Sequence, residues 1–205
     1  MGKKTLSASI AHLKKDQHLG SFVRRYGPIS HRRSHAPGVF RALAESIIYQ
    51  QLSGKAADTI CKRFIALFPA KKFPTPEDAL KIRTSKLRSA GLSAQKAAYL
   101  KDLALKCTDG TIEPKKFPLM TDAEVIEHVT AVKGIGEWTA HMFLMFTLAR
   151  PDILPTGDLG IQKGFKKLFR LSKLPNPERM HRLAKRWQGH RTMASFYLWR
   201  LLEEK

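Results

Sequence analysis

Apolar residues recur along this chain at the three- and four-residue spacing of amphipathic helices, as Phe40, Leu43 and Ile47 do between residues 40 and 51. No stretch shows the convincing alternation of apolar and polar residues that marks a strand. Together with capping residues, glycines and prolines, the spacing predicts helices over residues 6–26 (one or two short helices), 40–51, 55–68, 77–90 (two short turns), from Ser93 onward, 122–129, 138–148, 159–169, 178–188 and 191–203. The predicted fold class is therefore all-α.

A very short turn, Val132-Lys133-Gly134-Ile135-Gly136, connects two of these helices. Glycine allows positive φ and lets another surface come close. Backbone N–H groups just before a helix, at the positive end of its dipole, suit a phosphate. Two interpretations stay open from these residues alone. The turn is either a helix–hairpin–helix that holds the DNA backbone without reading sequence, or an ordinary hairpin of two helices in a core.

The charge balance favours a polyanion as partner. Lys and Arg number 37 against 17 Asp and Glu, which gives a formal net charge of +20. Nucleic acid is favoured over a membrane, because no apolar run approaches the ~20 residues of a spanning helix. We also find no succession of basic, apolar and small residues that would mark a signal peptide.

Cysteine and histidine usage gives no indication of a metal centre. Cys61 and Cys107 fall on separate predicted helices and form no Cys-x-x-Cys motif, which indicates a reducing compartment and disfavours a zinc site. Of the eight histidines only His31 and His35 have a suggestive spacing. We interpret their polar, basic surroundings as a phosphate-facing loop rather than a metal site.

A longer motif includes the turn and a downstream aspartate. It reads Gly134-Ile135-Gly136-x-Trp138-Thr139-Ala140, then Leu154-Pro155-x-x-Asp158. The motif resembles the helix–hairpin–helix DNA glycosylases, in which a Gly-Ile/Val-Gly hairpin precedes a catalytic aspartate. Bifunctional glycosylase–lyases place a lysine nucleophile two residues after the second glycine, where this chain has Trp138. The chain is thus similar to the 3-methyladenine DNA glycosylase II branch, from about residue 40 to residue 202.

The resemblance implies a monofunctional enzyme that flips alkylated purines (3-methyladenine, 7-methylguanine) out of double-stranded DNA and excises them by hydrolysis, which initiates base excision repair. It implies a two-lobed helical bundle with a DNA-binding cleft between the lobes. The expected domains are residues 1–36, N-terminal helices on the C-terminal lobe; 37–120, a central lobe with the wedge segment; and 121–205, the lobe of the hairpin and the catalytic aspartate. The implied protein is a cytoplasmic, DNA-associated monomer (nuclear in a eukaryote). It has no iron–sulfur cluster, since the cysteines that hold it in the endonuclease III-like branch are absent.

The resemblance also assigns the chemistry. Asp158 would be the catalytic carboxylate, which stabilises the positive charge that develops on the sugar and orients the attacking water. Trp138 and Trp199 would form the base pocket, because an indole face attracts a cationic alkylpurine. The residues themselves leave plainer roles open. Asp158 is a good N-cap for the next helix, and tryptophans in apolar helices, such as Trp187, are often core.

The remaining implied residues contact DNA. Lys133, Gly134, Ile135 and Gly136 would hold the backbone, with Lys133 in place of the usual proline. The carbonyls of Thr130, Val132 and Gly134 would hold a monovalent cation, Na⁺ or K⁺. Gln51, with Leu52 beside it, would be the wedge that fills the gap left by the flipped base. The alternative is that Gln50 and Gln51 simply end a helix at Ser53-Gly54.

Two other functions compete with this assignment. A non-catalytic duplex-binding module could use the same hairpin and basic surface, but it would need neither Asp158 nor the two tryptophans. An enzyme of the same fold could instead remove uracil or mismatched bases, which are neutral leaving groups and need more acid assistance.

Overall fold

The computed structural model describes residues 3–29, 38–69 and 71–204. His31, His35 and the expected domain boundary at residues 36 and 37 lie outside these ranges. The described part of the chain is helical and contains no strand, as the apolar spacing predicts. Its helices are α1 (Lys3–Lys14), α2 (Gly20–Tyr26), α3 (Val39–Tyr49), α4 (Gly54–Ala66), α5 (Pro76–Lys81), α6 (Thr84–Ser89), α7 (Ala94–Thr108), α8 (Asp122–Thr130), α9 (Glu137–Met142), α10 (Leu159–Leu168), α11 (Pro177–Ala184) and α12 (Arg191–Glu203).

Local capping explains where several helices begin. The Ser93 hydroxyl accepts a hydrogen bond from the Lys96 N–H at the start of α7, as the sequence predicts. Thr121 and Glu124 form a reciprocal capping box at the start of α8. The predicted helix over residues 138–148 is wrong in part, because a π-helical segment, Phe143–Thr147, follows α9. An apolar spacing alone does not distinguish these two helical pitches.

The helices form two compact units, Met1–Arg33 with Leu144–Lys205, and Ser34–Phe143. We call them the terminal unit and the central unit. The expected boundary after residue 120 differs from this division, since the central unit continues to Phe143 and includes both hairpin helices. The reason is that the hairpin packs on α7. No helix in the described ranges is long and apolar enough to cross a membrane.

The terminal unit is built around α12. Residues 192–198 of this helix are all buried, and α1 and α10 pack against it. Trp187 is fully buried beside the ring of Phe165, which confirms its interpretation as core. The N-terminal segment is fixed to α12 by the Tyr197 hydroxyl, which donates to the Gly27 carbonyl over 2.9 Å.

The central unit is built around α7, which packs against α3, α5 and α6. The hairpin is attached to the same helix. The Lys133 N–H donates to Asp102 Oδ2 over 2.8 Å, and Lys106 Nζ donates to the same oxygen over 2.7 Å. Burial by itself would raise the pKa of Asp102, but these hydrogen bonds outweigh burial and lower it. The carboxylate therefore stays ionised at neutral pH and holds the turn.

Gly134 lies against the ring of Tyr99 on α7. A Cβ at Gly134 would come within 2.1 Å of a ring carbon, and the backbone there has φ +82°. Both the conformation and the lack of space require glycine at this position.

We predict that Gly134→Ala destabilises the protein more than Gly110→Ala, which is a matched control. Gly110 has φ +86°, but a Cβ there would meet no atom within 4 Å. The control should incur only the left-handed backbone cost of about 1–2 kcal/mol, which lowers the Tm by roughly 2–8 °C for a chain of this size. Gly134→Ala should lower the Tm at least about twice as far, because Tyr99 must also move. Equal losses in thermal melts would show that the Tyr99 contact does not fix the hairpin.

Candidate functional site

The hairpin presents backbone at the start of α9. Gly136 is the N-cap of α9, with φ −94° and ψ 174°, so it does not need glycine's left-handed freedom. A Cβ there would meet nothing within 4 Å, and Lys133 beside the turn is also exposed. The first-turn N–H groups of a helix have no acceptor within that helix. This open end suits a phosphate oxygen.

Ile135 differs from the other hairpin residues. Its side chain is only 4% exposed, and its N–H donates to the Val132 carbonyl over 3.1 Å within the turn. Its expected share in a backbone grip on DNA would therefore not involve the side chain. The Ile135 side chain anchors the turn in the central unit, whereas Lys133, Gly134 and Gly136 are exposed.

The expected wedge lies on the turn between α3 and α4. Gln51 is exposed and has φ +57°, a left-handed conformation that is uncommon for a residue with a side chain. Leu52 beside it is 39% exposed. The helix α3 ends at Tyr49 with Gln50 as its C-cap, so Gln51 lies in the turn directly after the helix end. Strained backbone of this kind persists only where surrounding contacts hold it, and it is enriched at functional sites.

A hydrogen bond joins this turn to the hairpin. Gln50 Nε2 donates to the Gly134 carbonyl over 2.8 Å. Both segments line a cavity of about 700 Å³ in the central unit, together with residues of α7 and α9. The cavity walls include the expected site residues Gln51, Gly134, Gly136 and Trp138. Trp138 is 49% exposed and is therefore not a core residue.

Asp158 and Trp199 meet in the terminal unit. Asp158 is half-buried, and its Oδ1 accepts the Ile161 N–H over 2.8 Å, which confirms its N-cap geometry. The same oxygen accepts the Trp199 Nε1–H over 2.9 Å. The Trp199 ring also packs near Phe146 and Phe196, with centroids 6.3 and 5.9 Å away. The cap does not exclude a functional role, because the carboxylate is held by a second side chain that a cap does not require.

Gly160 is a site residue that our sequence analysis missed. A Cβ there would lie 2.9 Å from Trp199 Cδ1 and 3.0 Å from Asp158 Oδ1, so only glycine leaves room for the indole to reach the carboxylate. A signal was present in the sequence. Glycine is unfavourable inside a helix, so a glycine two residues after Asp158 indicates that another side chain packs closely there.

The loop before Asp158 is fixed from α12 by residues that the motif did not reveal. Arg191 donates from Nε and Nη2 to the two Asp152 oxygens, each over 2.7 Å. Burial would raise the pKa of Asp152, but hydrogen bonds from Arg191 and from backbone N–H groups lower it. Thr192 Oγ1 donates to the Arg150 carbonyl and accepts the Ile153 N–H. These long-range contacts hold the segment that carries Asp158.

The carbonyls expected to bind a monovalent cation are partly engaged. The Gly134 carbonyl accepts from Gln50 and the Val132 carbonyl from Ile135. A carbonyl oxygen has two lone pairs, so these bonds are compatible with a cation at the turn. Among the described residues no group of His, Cys, Asp and Glu side chains could hold a metal ion.

Comparison with known proteins places this geometry in a family. Residues 44–189 match the family described as HhH-GPD superfamily base excision DNA repair protein. DNA-3-methyladenine glycosylase 1 of Schizosaccharomyces pombe is 34% identical over 89% of this chain and 79% of its own length. Identity to DNA-3-methyladenine glycosylase of Saccharomyces cerevisiae is 39% over 68% of this chain. The chain spans 49% of that relative and 59% of YfjP of Bacillus subtilis, so some relatives are considerably longer.

Solved structures of the same family have a similar fold. The S. pombe 3-methyladenine DNA glycosylase Mag1, in complex with abasic DNA, superposes with a TM-score of 0.80 at 32% identity and covers 94% of this chain and 95% of its own. A DNA-3-methyladenine glycosidase of Bacillus halodurans has a TM-score of 0.85 at 31% identity and covers 98% of this chain and 89% of its own. The chain therefore belongs to the HhH-GPD superfamily of base excision DNA repair proteins, and its relatives there include DNA-3-methyladenine glycosylases.

Proposed function

We propose that this protein is a monofunctional DNA glycosylase that hydrolyses the sugar–base bond of alkylated purines in double-stranded DNA. One observation carries the proposal beyond family membership. The Asp158 carboxylate is held at one oxygen by both a helix N–H and the Trp199 indole. A pure DNA-binding module would have no use for a carboxylate prepared in this way, since a carboxylate repels phosphate.

The central unit supports the steps before bond cleavage. A stacked base is out of reach, so the enzyme must turn the nucleotide out of the duplex and hold the distorted DNA. The N-terminus of α9 and Lys133 supply the hold on phosphates, which needs no sequence readout. Gln51 and Leu52, exposed on a turn tied to the hairpin, supply the side chains that fill the gap. The Trp138 face, exposed in the cavity wall, can attract a cationic base by roughly 0.5–2 kcal/mol.

Asp158 supplies the stabilisation of the reacting sugar. A purine alkylated at N3 or N7 carries a positive charge, so the base leaves without much help from an acid. As it leaves, positive charge develops at C1′. A fixed carboxylate in a water-poor site stabilises that charge and can orient or deprotonate the attacking water. The order of preference among 3-methyladenine, 7-methylguanine, hypoxanthine and etheno-adducts depends on pocket shape.

The chain lacks a lysine at position 138, so we infer that it forms no Schiff base and leaves the abasic strand intact. We further propose that it acts as a monomer without an iron–sulfur cluster, in a DNA-containing compartment. A Na⁺ or K⁺ ion at the carbonyls of Thr130, Val132 and Gly134 would hold the hairpin shape and attract a phosphate. The carbonyl oxygens would be the ligands of the ion, and no chemical step requires it.

A panel of substrates tests the function. We expect release of free base from methylated duplex DNA and alkali-labile abasic sites at the lesion. Borohydride should trap no covalent protein–DNA adduct, and strand cleavage should require added alkali. Binding without base release from any lesion would favour the non-catalytic module. Excision of uracil or mismatched bases alone would favour an enzyme of the same fold that removes neutral bases. A trapped adduct would contradict the absence of lyase activity.

Asp158→Asn separates the cap from the chemistry. Asparagine caps a helix about as well as aspartate but carries no negative charge. We expect the variant to melt within a few degrees of wild type, to bind lesion DNA, and to excise a chemically stable lesion about 100-fold more slowly or worse. Alanine removes cap and charge together and cannot separate them. Near-wild-type excision by folded Asp158→Asn protein would leave Asp158 as a cap only.

Trp199→Phe tests the hydrogen bond to Asp158. Phenylalanine keeps an aromatic ring in the cluster but lacks the N–H donor. Loss of a hydrogen bond to a charged group, worth about 1.5–3 kcal/mol, predicts roughly 10- to 100-fold slower excision. If Trp199 acts through Asp158, the loss should shrink when Trp199→Phe is made in the Asp158→Asn background, since residues that act as a unit are non-additive. Losses that multiply would instead make Trp199 an independent wall of the base pocket.

A further inference from the structure

Lys96 on α7 reaches the end of α3. Its Nζ donates to the Ile48 carbonyl over 2.7 Å and to the Gln50 carbonyl over 2.6 Å. Gln50 immediately precedes Gln51, whose φ is +57°, and Ile48 lies three residues before it. The side chain is half-buried, and burial lowers the pKa of its ammonium. The last carbonyls of a helix have no donor within the helix and lie at the negative end of its dipole, so an ammonium here is favourable.

We propose that Lys96 is a positioning residue for base flipping, which holds the turn of Gln51 and Leu52 in register with the DNA-binding hairpin. The inference rests on the proposed function, because it assigns the wedge role to Gln51. Lys96 does not act as a phosphate contact in this proposal, because its Nζ donates to two backbone carbonyls and the side chain points from α7 to the turn.

The hairpin is attached to the same side of α7. Tyr99 and Asp102 follow Lys96 at successive three-residue steps, which places them on neighbouring turns of the helix. Tyr99 packs on Gly134, and Asp102 accepts the Lys133 N–H. One helix therefore fixes both segments, and the Gln50–Gly134 hydrogen bond joins them directly. The helix α7 therefore sets the distance between the turn of Gln51 and Leu52 and the hairpin.

Lys101 provides a matched control on the same helix. Its Nζ donates to the Leu80 carbonyl over 2.5 Å and to the Ile82 carbonyl, at the end of α5. Burial lowers the pKa of this ammonium as well. The chemistry is the same as at Lys96, but α5 lies outside the wedge, the hairpin and the cavity wall. A general effect of losing such a contact should therefore be equal at both positions.

The test compares Lys96→Met with Lys101→Met and Lys96→Arg in single-turnover excision with enzyme in excess. Misplacement of a reacting group by about 1 Å can cost on the order of 100-fold, so we expect Lys96→Met to excise about 10- to 100-fold more slowly. Lys101→Met should stay within about twofold of wild type after a similar loss of Tm. Lys96→Arg should recover most of the rate, because it restores a cationic donor. Lys96→Gln replaces Lys96→Met if the latter melts below the assay temperature.

Two further readouts separate positioning from other roles. Affinity for undamaged duplex and its salt slope should be unchanged in Lys96→Met, because a lost phosphate contact would reduce the slope by about 0.9. In a Gln51→Ala background the effect of Lys96→Met should largely disappear, since coupled residues are non-additive. Equal rate losses at Lys96 and Lys101, a reduced salt slope, or independent effects of Lys96 and Gln51 would each overturn the proposal.

Binding to a duplex with a stable abasic-site analogue distinguishes the two proposals. Preference for that duplex over undamaged DNA needs the wedge but no chemistry. If the wild type excises no lesion, the proposed function is wrong. The positioning role of Lys96 is still supported in that case if Lys96→Met loses the preference for the abasic-analogue duplex and Lys101→Met keeps it. If the wild type excises lesions and all variants keep the preference, the positioning role fails alone.

Discussion

The contact between Gly134 and the Tyr99 ring is the constraint on which the central unit's site depends. There is no space for a Cβ, and the backbone is left-handed. Because the turn can approach α7 this closely, the Lys133 N–H reaches Asp102 and the Gly134 carbonyl reaches Gln50. These contacts fix the short hairpin turn in place. The open start of α9 is held in place by packing behind it.

Asp158 caps a helix and is also held in a geometry that suits the proposed chemistry. The oxygen that caps α10 is also the oxygen that the Trp199 indole binds, and Gly160 leaves the room for this contact. Capping fixes the carboxylate relative to the helix, and the indole fixes it relative to α12. Such preorganisation is what electrostatic stabilisation of a transition state requires, because the groups need not reorient during the reaction.

The basic residues that give the net charge of +20 do not all have the same role. Lys96, Lys101 and Lys167 each direct an ammonium at the terminal carbonyls of another helix, which are those of α3, α5 and α12. Such lysines compensate helix dipoles inside the protein and are not available for a polyanion. Composition counts every charge alike, whereas only the folded chain separates structural cations from those that face a partner.

The sequence by itself determined most of the helices, the Ser93 and Asp158 caps and the hairpin motif, because helical periodicity and capping depend on residues a few positions apart. Tertiary structure decided what depends on distant neighbours. The central unit extends to Phe143 because the hairpin packs on α7, and the Ile135 side chain is buried in that unit. Gln51 adopts a left-handed conformation in a turn that is held by hydrogen bonds from α7 and to the hairpin. Gly160 is required because the Trp199 side chain of α12 lies against it. No local pattern encodes these meetings, since each joins segments far apart in the chain.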